Sequence, residues 1–353
     1  MMRNFLLCLL LLALSLPASA SIEQLFQAGI LPSTQQYFYC DNAALLANPL
    51  VASMLADEKK PEAESLRQLP PFLVALSGLL EKGAAENFPA VKRSQLSIDW
   101  AGPLADPTMA QKNLKYLLVL ELERPLPAEE LGAFLGRESE ANKLGLECVF
   151  DTELDYLRIS DSKNTNNPEL GIAFFEDSKL LMLAQPSLLQ NVIARVQGRL
   201  PAAALPEKLL QAKAKISADK QFYMLLLPDD NFLAAIHEHA PDVPAAQVME
   251  EMGLMCFSLQ AEEKLNLQLS MEFSNENNAA VGKSMILDGF IMGMTRMYLM
   301  QQLGAQLPML QTMESSLQGK QAMFSCALEP EDLKQIGPLF QQIGKNMAER
   351  LGR

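Results

Sequence analysis

The stretch Leu170-Gly-Ile-Ala-Phe-Phe-Glu-Asp-Ser-Lys-Leu-Leu-Met-Leu-Ala184 decides the fold class, because it predicts a β-hairpin. Two apolar runs of strand length flank the polar residues Glu-Asp-Ser-Lys, which form the turn. Further along the chain we predict helices near residues 186–198 and 206–216, a strand at 221–228 and a helix from Asp229. The order is therefore strand, strand, helix, helix, strand, helix.

A second hairpin repeats this order towards the C-terminus. Its elements are predicted at residues 254–260, 265–273, 276–303, 308–317 and 321–328, followed by a helix from Pro330. Strands that are joined by short turns and separated by helix pairs predict an α+β fold with mostly antiparallel sheets. The C-terminal two-thirds is therefore predicted to hold two related β-β-α-α-β-α halves.

One kind of junction, a strand followed by an acidic or proline-bearing break and a helix, occurs four times. Its strands are predicted at residues 36–42, 115–122, 221–228 and 321–328. Asp and Asn at such a junction accept hydrogen bonds from the first turn of the helix. Acidic residues there also complement the positive end of the helix dipole. We therefore expect structural rather than catalytic roles for Glu129, Glu130, Glu331 and Asp332.

The first residues are typical of a signal peptide. Arg3 precedes an apolar run of 12 residues, 5–16, which is shorter than the ~20 residues of a membrane-spanning helix. Ala18-Ser19-Ala20 has the small-residue pattern of a cleavage site, so cleavage is predicted before Ser21. We expect an exported protein, periplasmic or extracellular, with no transmembrane span after cleavage.

The predicted organisation has four parts. Residues 1–20 are the signal peptide, 21–168 an N-terminal α+β region, 169–252 a first repeat module and 253–353 a second repeat module. Apolar residues make up 49% of the chain, which is enough for a substantial core. The formal net charge of −13 repels phosphate backbones, so nucleic acid is not an expected partner.

Four cysteines remain after the predicted cleavage, and each lies in an apolar, strand-like run: Cys40, Cys148, Cys256 and Cys326. In an exported protein they could pair as disulfides or remain small buried thiols. Strand alternation places Phe324, Cys326 and Leu328 on one face of their strand. No pair has the CxxC spacing of a zinc or thioredoxin-type site.

No catalytic constellation emerges from the sequence. His237 and His239 are the only histidines, and on a helix residues two apart point in opposite directions and cannot share one metal ion. The sequence contains no GxSxG nucleophile motif. We therefore predict no enzyme, no catalytic residue, no cofactor and no metal site.

The methionine-rich stretch 285–300 predicts a helix that is apolar on nearly all sides. Its thioethers do not form the single stripe that Cu(I) would require, so a buried core helix is the better interpretation. If the protein instead carries an apolar ligand, the contacts would include Phe290, Met292 and Met297.

The chain resembles exported bacterial proteins of unknown function. The resemblance lies in Leu31-Pro-Ser-Thr34 with the strand and Asp41-Asn42 cap that follow, in the hairpin Phe174-Phe-Glu-Asp-Ser-Lys-Leu-Leu181, and in the repeated strand–cap–helix units. It spans most of the chain after the signal peptide. It implies no activity and no site residues.

Three functional hypotheses follow. The first is an exported, non-enzymatic binding or structural component of the cell envelope, with a protein partner that is unknown, because repeated units present extended surfaces. The second is a carrier of an apolar ligand, either a lipid or a hydrophobic peptide. The third is a hydrolase that uses paired carboxylates, which the 42 acidic residues do not exclude.

The signal-peptide interpretation predicts the N-terminus of the exported protein. Mass spectrometry of the intact protein from the extracytoplasmic fraction should give the mass of residues 21–353. A mass that includes residues 1–20 would contradict cleavage before Ser21.

Overall fold

The computed structural model describes residues 22–56, 88–100, 114–141, 143–152, 156–163, 169–230, 233–234, 248–303, 307–332 and 335. Within these ranges the strands are β1 Gln36–Asp41, β2 Val91–Trp100, β3 Leu114–Leu122, β4 Leu146–Asp151, β5 Tyr156–Asp161, β6 Leu170–Phe175, β7 Leu180–Ala184, β8 Phe222–Leu226, β9 Met252–Ala261, β10 Leu265–Phe273, β11 Glu314–Gln318 and β12 Gln321–Leu328.

The helices of the described residues connect these strands. They are α1 Ile22–Ala28, α2 Asn42–Ala47, α3 Pro49–Ala56, α4 Ala128–Ala141, α5 Pro186–Val196, α6 Glu207–Lys215, α7 Glu276–Gly282, α8 Thr295–Leu303 and α9 Met309–Thr312. A π-helical segment, Lys283–Met294, joins α7 to α8.

All twelve strands belong to one sheet in the order β11-β12-β10-β9-β8-β1-β2-β3-β7-β6-β5-β4. Every neighbouring pair is antiparallel. The predicted α+β class with antiparallel strand pairing is confirmed. The strand β1 lies between β8 and β2, and so joins strands that are distant in the sequence.

One row of directly opposed residues crosses the whole sheet on one face, which we call face A. From the β11 edge to the β4 edge, the row is Ser316, Met323, Ser270, Cys256, Leu225, Tyr37, Ser97, Leu117, Ala184, Gly171, Arg158 and Val149. The members from Leu225 to Gly171 are buried, beneath α1, α5 and α6. The two ends of the row remain partly or fully accessible to solvent.

The opposite face, face B, is covered at both ends of the sheet. The helix α4 packs Phe134 and Leu135 against Ile172 near one edge. Near the other edge, α7 and the π-helical segment pack against Met271 and Ala322. The predicted shared face of Phe324, Cys326 and Leu328 is confirmed, because all three pack in the cluster beneath α8 and α9.

Two sequence predictions near helix ends need correction. The helix predicted after the strand at 36–42 is two helices, because Asn48 adopts the extended backbone that Pro49 requires of the residue before it. The predicted helix at 308–317 is wrong beyond Thr312, since residues 314–318 form β11. Gly319, with φ of +55°, supplies the turn that returns the chain into β12.

The capping predictions are confirmed in part. The Asp41 side chain accepts a hydrogen bond from the Ala44 backbone N–H at 2.9 Å, as a helix N-cap does. Asp332 is fully buried and accepts from the backbone N–H groups of Glu329 and Met309. It therefore fixes α9 to the chain that leaves β12.

The two predicted modules have the same order of elements but different places in the sheet. In the first, β7 and β8 are separated by β3, β2 and β1, whereas in the second β10 lies directly beside β12. The division into modules remains a prediction about element order. The predicted signal peptide, residues 164–168 and most of the helix predicted from Asp229 lie outside the described residues.

No helix in the described part of the chain is long and apolar enough to cross a membrane.

Two glycines test the packing of the helices on face B. A side chain at Gly282 would collide with the buried ring of Phe273, whereas nothing lies within 4 Å of a side chain at Gly136. We expect Gly282→Ala to lower the free energy of unfolding by about 1–3 kcal/mol through overpacking. Gly136→Ala should raise it by roughly 0.5–1 kcal/mol, because alanine favours helix. Urea unfolding measures both, and changes of equal sign would contradict this packing.

Candidate functional site

A groove lies on face A at the β11 end of the sheet. Its floor consists of two registered rows: Cys256, Ser270, Met323 and Ser316, then Ser258, Gln268 and Ser325. These side chains are mostly hydroxyls and an amide, which both donate and accept hydrogen bonds. The groove has a volume of about 470 Å³, within the range of small-ligand sites.

The polar floor follows from strand alternation. In β10 the residues Leu265, Leu267, Leu269, Met271 and Phe273 point to face B, where they pack in the core. The intervening residues Asn266, Gln268, Ser270 and Glu272 therefore point to face A. The apolar half of each strand attracts the helices, so the polar half is left without a covering helix among the described residues.

The helix α6 forms one wall of the groove. Lys208, Gln211 and Lys215 line the groove and are spaced three and four residues apart, so they lie on one side of the helix. Leu209 and Ala212 are buried against the sheet and hold the helix in place. The groove therefore has a stripe of two ammonium groups along one side.

The ammonium group of Lys208 reaches down to the sheet at a β-bulge. The register of β9 against β10 shifts between Leu254, which faces Glu272, and Met252, which faces Phe273. Gly253 is the extra residue, and the Lys208 Nζ lies 3.4 Å from where its side chain would begin. A methyl group at Gly253 would stand at ordinary van der Waals distance from this ammonium group.

Lys208 and Lys215 differ from four other described lysines in their surroundings. Lys92, Lys115, Lys264 and Lys283 each contact a carboxylate. Within the described ranges, no carboxylate lies at ion-pair distance from Lys208 or Lys215. The groove thus offers two uncompensated positive charges on a protein with net charge −13.

Lys220 lies at the end of the groove and is held by a hydrogen bond. Its Nζ donates to Gln260 Oε1 at 2.9 Å, and the Gln260 amide donates to the carboxylates of Asp219 and Glu262, both at 2.7 Å. The hydrogen bonds that Asp219 accepts, with Lys220 close by, lower the pKa of its carboxyl. Lys220 is therefore linked through a neutral amide to two carboxylates, whereas no such link is found for Lys208 or Lys215 within the described residues.

A buried polar network fixes α6 to the centre of the sheet. Lys213 Nζ donates to the hydroxyl of Tyr37 at 3.0 Å, and that hydroxyl donates to Gln95 Oε1 at 2.7 Å. Burial lowers the pKa of Lys213. The same ammonium lies 5.0 Å from the centre of the Tyr37 ring. This lysine acts as an anchor and does not face the groove.

The three residues predicted to contact an apolar ligand are not brought together around a pocket. Phe290 and Met297 are 58% and 47% exposed on the outer side of the π-helical segment and α8, as is Met294 at 48%. Met292 packs against the core beneath α8 and α9. The prediction of a helix buried on nearly all sides is therefore wrong for this outer side.

Other candidate chemistries find no grouping in the described residues. No cluster of three or more histidine, cysteine or acidic side chains could hold a metal there. Glu272 is the one carboxylate among the described residues that line the groove. His237 and His239 lie outside the described residues. The carboxylate of Asp288 accepts hydrogen bonds from Lys283 and Ser315 instead of facing Arg296.

All four described cysteines are free thiols. Cys40 lies opposite Phe222 and Cys256 lies opposite Leu225, so the two cysteines point to different faces of the sheet. Cys256 is in the groove floor, where burial raises the pKa of its thiol from about 9 to about 11. A hydrogen bond with Ser270 acts in the opposite direction. The thiol is therefore protonated at neutral pH.

The groove residues were not identified from the sequence. A signal was present: β9, β10 and β12 alternate apolar residues with Ser, Gln and Cys, and α6 has lysines seven residues apart. Alternation alone does not tell which helix will cover which face. That information comes from the pairing of β8 with β9, which brings α6 beside β9.

No protein-family model matches the chain, and no curated protein matches it. Among solved structures, crystal form III of TP0453 is similar at a TM-score of 0.44 and 10% identity, over 88% of this chain and 97% of that chain. Crystal form IV of TP0453 is similar at 0.45 and 8% identity, over 88% and 95%. A likeness at this level says nothing about function.

The thiol of Cys256 yields a pH prediction. In the folded protein its alkylation by iodoacetamide should still rise about tenfold per pH unit between pH 9 and 10, because the thiolate is the reactive form. In urea the rate should level off near pH 9. The raised pKa also means that the thiol stabilises the fold below pH 9 and loses this contribution as pH rises towards 11. A plateau near pH 9 in the folded protein, read by peptide mass spectrometry, would contradict this burial.

Proposed function

We propose that this protein is a non-enzymatic binding protein that works outside the cytoplasm, and that the groove on face A is its ligand site. The single observation that carries the proposal is the combination of a polar floor and a wall with two uncompensated lysines. Ligand sites use a few convergent polar groups to set orientation. The floor residues Ser258, Ser270 and Ser325 provide such groups.

The accessibility of the floor supports a binding role over a purely structural one. Face A is buried under helices across the middle of the sheet, from Leu225 to Gly171. At the β11 end the same face bears the hydroxyls of Ser270, Ser316 and Ser325 and the amide of Gln268 at partly or fully accessible positions, next to a helix that forms a wall. A ligand placed there would contact both the strands and α6.

The alternative of a hydrolase with paired carboxylates receives less support from the groove. Such an enzyme needs two carboxyl groups about 5–9 Å apart on either side of the bond that breaks. Glu272 has no acidic partner among the described lining residues. Its carboxylate is within 3.5 Å of the Gln321 amide. That contact favours a role in hydrogen bonding.

The alternative of an apolar carrier rests on a different surface. Phe290, Met294 and Met297 are exposed on the outer side of the helix that covers face B. They favour contact with an apolar ligand or partner, but they line the outside of the molecule. A polar ligand in the groove and an apolar contact at this helix would involve opposite faces of the sheet.

The proposal is tested by blocking the groove. Residues 21–353 are mixed with acidic, neutral and basic decapeptides and with octanoate, and Tm is recorded. At least one peptide should raise Tm of the unmodified protein and of Val149→Trp, because a ligand that binds the folded state stabilises it. Ser325→Trp should abolish this rise.

Val149→Trp is the matched control because Val149 is 50% exposed on the same face at the far edge of the sheet. Circular dichroism and Tm without ligand check that both variants fold. No stabilisation by any peptide, equal stabilisation of both variants, or formation of hydrolysis products would contradict the proposal. An effect of octanoate that survives Ser325→Trp would support the apolar carrier instead.

A further inference from the structure

We infer that the ligand of the groove is an acidic peptide segment, bound in an extended conformation with its carboxylates against the α6 wall. This inference rests on the proposed function and gives the chemical class of the ligand. It depends on the positions of Lys208 and Lys215 and on the hydrogen-bonding character of the floor.

The charge of the wall selects an anionic partner. Lys208 and Lys215 point along one side of the groove, and within the described residues neither contacts a carboxylate. They are seven residues apart, which is about 10.5 Å along the helix axis. Two anionic groups at a similar separation would pair with both ammonium groups at once, and the flexible lysine stems would adjust to small differences.

The position of Lys208 shows that this charge is accommodated by the sheet. Its ammonium group approaches the β-bulge at Gly253. The ligand's carboxylate would therefore lie near the floor of the groove, between the helix and β9. Lys215 lies about two helical turns further along α6 and would contact a second carboxylate of the ligand.

The floor selects a peptide over a densely charged anion. Ser258, Ser270, Ser325 and Gln268 both donate and accept hydrogen bonds, as the N–H and C=O groups of an extended backbone require. A phosphate or a nucleic-acid backbone offers acceptors and needs donors. The net charge of −13 repels a nucleic-acid backbone, which presents many charges to the whole surface.

In an extended peptide, side chains two and four residues apart point to the same side and are about 6.7 and about 13.4 Å apart. These values bracket the roughly 10.5 Å along α6 between Lys208 and Lys215, and the flexible lysine stems adjust to the difference. Acidic residues at alternate positions would face α6, and the residues between them would face away from the wall. Leu254 and Met323 in the lining supply apolar contacts for the stems of those side chains. Methionine adapts to partners of different shape.

Isothermal titration calorimetry on residues 21–353 tests the inference with three capped decapeptides. They alternate Ser with Glu, Gln or Lys, so that they differ only in charge. We expect the Glu peptide to bind at least about tenfold more tightly than the Gln peptide, and the Lys peptide not to bind. In Lys208→Glu/Lys215→Glu, affinity for the Glu peptide should fall by about tenfold or more, since contacting charges change from attractive to repulsive.

The matched control is Arg124→Glu/Arg199→Glu, which changes the net charge equally at exposed positions outside the groove lining. Its affinity for the Glu peptide should stay within about twofold of the unmodified protein. Equal binding of the Glu and Gln peptides would overturn the inference. An equal loss in the control, or no binding of the Glu peptide, would also overturn it.

Failure of this inference is distinguishable from failure of the proposed function. If the Gln peptide binds as tightly as the Glu peptide and Ser325→Trp abolishes both, the groove is a ligand site but charge does not select the ligand. If Ser325→Trp binds each peptide as tightly as the unmodified protein does, the groove is not the binding site and both proposals are wrong. Circular dichroism of each variant excludes loss of folding as the cause.

Discussion

The hydroxyl of Tyr37 joins the parts of the molecule on which the groove depends. It donates to Gln95 on β2 and accepts from Lys213 on α6, at the centre of a fully buried side-chain environment. Gln95 in turn donates to the backbone carbonyls of Phe26 and Gly29, which fixes α1 and the loop after it. Leaving one of these buried partners unsatisfied costs about 1–3 kcal/mol. The network therefore specifies which strands and helices meet at the centre of the sheet.

This constraint acts through β1, the strand that carries Tyr37. Because β1 pairs with both β2 and β8, the strands from β11 to β8 and those from β2 to β4 form one sheet. On its other side β8 pairs with β9, which places α6 beside the face of Cys256. The helices that follow β10 pack on face B, where the apolar residues of β9, β10 and β12 point. A polar surface beside a lysine-bearing helix is the consequence of these two packing choices.

The local elements were largely predictable because their signals are local. The hairpins at 170–184 and 254–273 follow from apolar alternation around polar turns, and the cap at Asp41 follows from its side chain. The helix predicted over 308–317 failed because Met, Leu, Gln and Glu favour helix in isolation. Pairing with β12 overrides that preference. The signal for the turn was Gly319, which adopts the left-handed backbone that a two-residue hairpin needs.

The groove itself could not be predicted in this way, because it depends on pairing between distant segments. The position of β1 between β2 and β8 joins residues about 50 and 190 apart in sequence. The prediction that the outer side of the methionine-rich helix is buried failed for a related reason. Its apolar composition suggested burial on all sides, but only Ile286 and Leu287 of the π-helical segment are buried in the structure. Composition shows how apolar a helix is, but the number of elements that pack against the helix depends on the topology.

The acidic net charge and the basic wall of the groove act over different distances. At physiological ionic strength the screening length is about 8 Å, so carboxylates elsewhere on the surface contribute little inside the groove. They do act on a large polyanion that approaches the whole surface. Lys208 and Lys215, in contrast, act on groups that touch them, where the interaction of two charges is several-fold stronger than in bulk water. The same molecule can therefore repel a uniformly charged chain and retain one whose carboxylates are spaced, because selection at contact depends on the local charges and not on their sum.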